Sequence, residues 1–126
     1  MSTSNNLPMA SSHSIPLHYA IQLTSRLRNK RELVLDVFYK GQDIIPMSET
    51  FNRTDIDNLL AQKGAAGIRV YYGMDTENRI SAVLVAVNEN NQDLIPMTTS
   101  LDRTVLILQE GQRCPVICPP ESPLNQ

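Results

Sequence analysis

The sequence predicts an α+β domain, with N-terminal helices packed on a small, mainly antiparallel sheet and flexible N- and C-terminal tails. Three observations carry this expectation. Apolar residues recur at helical spacing within 16–30 and again after Asn52. Strand-like apolar runs come later, at 67–74, 80–87 and 104–109. The connections between these runs are short, which suits an antiparallel meander better than a parallel crossover.

Residues 1–14 are rich in Ser, Asn and Thr and read as a disordered tail. Pro16 suits the first turn of a helix, with Ser14 as its N-cap. Leu17, Ala20, Ile21, Leu23 and Leu27 then form an apolar stripe opposite Gln22, Ser25, Arg26 and Lys30. Residues 31–40 either continue this helix or form a strand. A polar connection runs from Gly41 to Arg53. A second helix follows, capped by Asn52 or Thr54, with Ile56, Leu59 and Leu60 as its buried stripe and Gly64 in a left-handed terminal position. Residues 67–74 alternate, with Ile68, Val70 and Tyr72 on one face and Arg69 and Tyr71 on the other. Residues 80–87 are apolar on both faces, as in a central strand. The segment 111–126 holds four of the eight prolines and reads as an irregular tail that does not pair in a sheet. The domain proper is therefore expected over 15–110.

The 126 residues carry 11 basic and 13 acidic side chains, for a net charge of −2. That balance gives no electrostatic reason to expect nucleic acid or an anionic membrane as partner. Aromatic residues are 5% and Trp is absent, which excludes a base-stacking platform. The N-terminus has no basic and apolar signal pattern, and no apolar run approaches the ~20 residues of a membrane span. The sequence thus points to a cytoplasmic protein, in which a stable disulfide is not expected.

Cys114 and Cys118 lie in the segment CPVIC. Two thiolates supply half of a tetrahedral zinc site, so Cys114 and Cys118 are candidate metal ligands if His13 and His18, or a second subunit, complete the set. Alternatively they form a redox pair, since a disulfide closing so short a loop is labile; Arg113 is the nearby cation able to lower a thiol pKa. The plainest reading makes them small apolar anchors for the tail. No nucleophile–His–carboxylate set, phosphate-binding loop or calcium loop is present, so no catalytic residue and no cofactor are assigned. The basic run Arg26, Arg28, Lys30 and Arg31 reads as a solvated helix face. A deep pocket lined by Tyr39, Tyr71 or Tyr72 with buried carboxylates would point instead to a ligand or an enzyme.

Residues 42–54 (QDIIPMSETFNRT) echo residues 92–104 (QDLIPMTTSLDRT). A duplicated unit would make Arg53 and Arg103 paired anion contacts. Shared turn chemistry explains the echo better, because the first copy leads into a helix and the second into a strand.

The block 51–96, with its Ile68-Arg69-Val70-Tyr71-Tyr72-Gly73 strand, together with Cys114, Pro115 and Cys118, resembles a family of small uncharacterised proteins typical of the Bacteroidota that end in a Cys-Pro-x-x-Cys tail. The resemblance implies no activity, cofactor or catalytic residue. The functional expectation is therefore a non-enzymatic protein-interaction or self-association module. The alternative is a metal-binding or redox-responsive thiol protein using Cys114 and Cys118.

Overall fold

In the computed structural model, which describes residues 6–10, 12–95 and 107–126, the elements are α1 (Leu17–Lys30), β1 (Ser48–Thr50), α2 (Arg53–Leu60), β2 (Gly67–Met74), β3 (Ile80–Val87), β4 (Ile107–Leu108) and β5 (Gln112–Cys114). They build an α+β fold with two small antiparallel sheets, ordered β2-β3-β4 and β1-β5. The β2–β3 hairpin organises the molecule. It pairs from Gly67 opposite Val87 to Met74 opposite Ile80. Its turn is set by Asp75, whose carboxylate accepts the N–H groups of Glu77 at 2.8 Å and Arg79 at 3.0 Å. Asn78 takes the left-handed conformation there (φ 66°), which Asn tolerates better than most residues.

The core sits on one face of this hairpin. Leu59 of α2 is fully buried against Leu84 and Ala86 of β3, with Phe51, Ile56 and Leu108 around them. Asn52 caps α2 by accepting the Thr54 N–H at 2.8 Å, and Gly64 takes its left-handed role (φ 86°). Gly111 runs across the Phe51 ring so closely that a Cβ there would lie 2.8 Å from Cε2, so only glycine fits without displacing the ring.

Several expectations are corrected. The cap residue of α1 is Pro16, not Ser14, and no side-chain hydrogen bond caps it. The apolar stripe of α1 is not buried. Ala20, Ile21, Thr24, Ser25 and Arg28 are half-buried, while Leu17, Leu23 and Leu27 stay exposed. Segment 31–40 is neither helix nor strand. It forms turns ending in a 3-10 turn at Val37–Tyr39, where Asp36 accepts the Phe38 N–H, and Leu33, Val34 and Phe38 are left exposed. Leu60, placed in the buried stripe, is 42% exposed. The connection 41–53 carries β1, and the segment beginning at Gly111 does pair. Its β5 joins β1, Ser48 opposite Cys114 and Thr50 opposite Gln112. The prolines begin only at Pro115, so nothing prevents a ladder before them. Within the expected N-terminal tail, Leu7 lies against Gly67; a Cβ on that glycine would meet Leu7 Cδ1 at 3.2 Å. Of the strand candidate 104–109, residues 104–106 lie outside the described residues, as do residues 96–104 of the second echo segment, Arg103 included.

Candidate interaction surface and the cysteine loop

The β1–β5 ribbon is fastened to β3 by two opposed charges. Glu49 and Arg113 face each other in the ribbon register. The Glu49 carboxylate accepts the Ala82 N–H at 3.0 Å and 3.2 Å. The Arg113 guanidinium donates to Ile80 O at 3.1 Å, to Ile44 O at 2.8 Å and to Asp43 O. Burial, the largest influence on it, holds the Arg113 pKa below that of a free arginine. Arg113 is expected from the sequence as a thiol activator. The structure commits it to backbone carbonyls instead.

Around this clamp lies an apolar belt. A cavity of about 560 Å³ opens between α1 and the C-terminal segment, lined by Leu27, Met47, Cys114, Pro119, Pro120 and Leu124. A second, of about 600 Å³, opens between Leu27, Pro46 and Phe51 on one side and Val70, Tyr72 and Leu84 of the sheet on the other. Leu27, Met47 and Ser48 line both, so the two adjoin. Tyr72 is 81% exposed and Val70 44%, although both lie on the core-side face. The sheet is covered by α2 at one end and left open at the other. No polar or charged residue among the described ones is fully buried, and the carboxylate that shares this cavity with Tyr72, that of Glu49, is half-buried and taken up by the Ala82 N–H.

Of the states left open for them, Cys114 and Cys118 take the bridged one: they are joined in a disulfide, with their Cα atoms 4.6 Å apart. Pairing of β5 with β1 buries Cys114, and the chain turns back at Ile117, whose N–H donates to Arg113 O at 3.1 Å. The turn delivers Cys118, itself exposed, to its partner. Beyond it the chain crosses α1, and Arg28 donates to the carbonyls of Leu124, at 2.6 Å, and Gln126. Arg31 likewise donates to Ile45 O at 2.9 Å. Two members of the basic run are thus structural rather than solvated. His13 and His18 are both exposed, and no cluster of three or more His, Cys, Asp or Glu exists among the described residues. Arg53 pairs with Asp57 on α2 at 3.3 Å.

A polar cluster that the sequence did not reveal lies on the opposite face of β2. Asp93 accepts from both Arg69 and the Tyr71 hydroxyl, and Arg69 also donates to Asn91 O at 3.0 Å. The cluster ties β2 to the turn after β3, where Asn91 is left-handed (φ 63°). The Asp93 carboxylate stabilises the protonated phenol and holds the Tyr71 pKa above that of free tyrosine. In Asp93→Ala, Tyr71 is expected to ionise at lower pH than in the wild type, read by residue-resolved NMR titration. An unchanged midpoint would contradict the contact.

No helix among the described residues is long and apolar enough to cross a membrane. No family model, curated protein or solved structure matches the chain.

Proposed function

We propose that this protein is a non-enzymatic interaction module that works in the cytoplasm and binds through its apolar belt. The observation that carries the reading is the incomplete burial of the α1 stripe. Ala20 and Ile21 are half-buried, but Leu17, Leu23 and Leu27 stay exposed, and Leu27 adjoins the open sheet face at Val70 and Tyr72. Contiguous apolar surface of this kind is kept where a partner covers it. The test is light scattering of the purified chain across concentration, paired with capture from lysate, on wild type and Leu27→Glu. Association or partner retention that Leu27→Glu weakens is expected. A chain that stays monomeric and retains nothing would overturn the reading.

A second reading, a redox-responsive thiol protein, is favoured by the joined Cys114 and Cys118 beside the same cavity. Their use as zinc ligands would need the disulfide reduced and further ligands from a second subunit. Metal and thiol content measured by native and denaturing mass spectrometry decide between these uses.

A further inference from the structure

We propose that the outer edge of β2 is the dimerisation site, pairing antiparallel with β2 of a second copy of this chain. The proposal rests on the interaction-module reading and gives it a partner.

The hydrogen-bond parity of the hairpin fixes which groups face outward. Asp75 N–H donates to Arg79 O at 3.0 Å in the hairpin register, so Gly67, Arg69, Tyr71 and Gly73 point their backbone groups at β3. Ile68, Val70, Tyr72 and Met74 therefore point theirs away. The residues opposite them on β3 also point outward, and each has at least one partner. Ile80 N–H donates to Ile44 O at 2.7 Å, while Ile80 O accepts from Arg113. Ala82 N–H is taken by Glu49, Leu84 pairs with Leu108, and Ala86 O accepts the Leu94 N–H at 2.9 Å. On β2, no described residue meets any of the eight outward groups, the N–H and C=O of these four residues.

Proteins blunt free edges with proline, lysine, bulges or very short strands. β2 has none of these. It is eight residues long, pairs without a bulge, and its one charged side chain is Arg69, which Asp93 neutralises. The strand is also self-complementary. A two-fold axis through Tyr71 sets Ile68 opposite Met74 of the second copy and Val70 opposite Tyr72 of the second copy. Four opposed pairs with two bonds each satisfy every outward group, which no other two-fold register on the strand achieves. In that register the apolar side chains meet apolar side chains on the open face, and Arg69 falls opposite Gly73, so no like charges oppose. The apolar faces of the two copies join on one side of a continuous six-stranded sheet, an isologous interface.

The test is sedimentation velocity of the full chain as wild type and Val70→Pro, together with oxidative cross-linking of Tyr71→Cys. Val70 N–H faces outward, so proline there removes a bond to the second copy and none to β3. Symmetry doubles the loss to two bonds, so a dimer weakened about a hundredfold is expected, with the wild-type circular dichroism kept. Tyr71→Cys is expected to form a disulfide-linked dimer, identified by mass mapping of the linked peptide, because directly opposed non-hydrogen-bonded residues sit about 4.5 Å apart at Cα. Gly73→Cys, which faces Arg69 of the second copy, is expected not to link. A wild-type dimer that survives Val70→Pro and dissociates with Leu27→Glu would overturn edge pairing and leave the interaction-module reading standing. A wild-type monomer that retains no partner would overturn both.

Discussion

Leu59→Ala is expected to destabilise the protein by about 2–5 kcal/mol, the range for emptying a buried leucine site. The upper half applies here. Leu59 is fully buried, and the buried cluster it belongs to otherwise consists of Leu84 and Ala86. Ala86 has no larger side chain to swing into the space, and Leu84 is held by its pairing with Leu108. A chain of this length has a total stability of about 6–19 kcal/mol, so one methyl-rich side chain accounts for a large share of it. Chemical denaturation monitored by circular dichroism reads the loss. A change under 1 kcal/mol would mean that α2 is not the lid of this core.

Arg113→Ala is expected to cost about 2–4 kcal/mol, because a charged donor serving several backbone acceptors is lost and the Ile80, Ile44 and Asp43 carbonyls are left to find other partners. Glu49 would also lose the cation opposite it while still bonded to Ala82 N–H. The ribbon β1–β5 would then hang on Glu49 and the core contacts of Phe51. Arg113→Lys should recover less than half of the loss. A lysine ammonium is a point donor and does not reproduce the planar fork that reaches β3 and the connection before β1 at once. Denaturation midpoints check the cost, and a fully rescued Lys variant would contradict the geometry.

The elements that local chemistry decides were legible in the sequence. The α2 cap at Asn52, the left-handed Gly64, the alternating β2 and the doubly apolar β3 each follow from residue type at fixed spacing, and each is present. The elements set by tertiary context were not. The LVLDV run at 33–37 has strand composition, yet it pairs with no strand among the described residues and forms turns. β1 and β5 are three residues each, too short to show a period, and exist because Glu49 and Arg113 anchor them to β3. The α1 sequence is amphipathic, but periodicity does not say which face meets the protein. The inward side mixes Ala20 and Ile21 with Thr24, Ser25 and Arg28, and Arg28 and Arg31 bond to carbonyls of the tail and the 41–53 connection. Of the candidate site residues, Cys114 and Cys118 were visible as a pair, whereas Glu49, Arg69, Asp93 and Arg113 act through long-range contacts that no local spacing encodes. The cytoplasmic expectation argues against a stable disulfide, yet the backbone turn at Ile117 brings the two cysteines together.

Residue-resolved amide hydrogen exchange along β2, measured across protein concentration, tests the central claim most directly. Gly67, Arg69, Tyr71 and Gly73 should be protected at every concentration, since β3 accepts their N–H groups. Ile68, Val70, Tyr72 and Met74 should exchange freely when dilute and gain protection as the second copy docks. Protection of these four that never appears, with the alternate set protected throughout, would contradict the edge as the docking site.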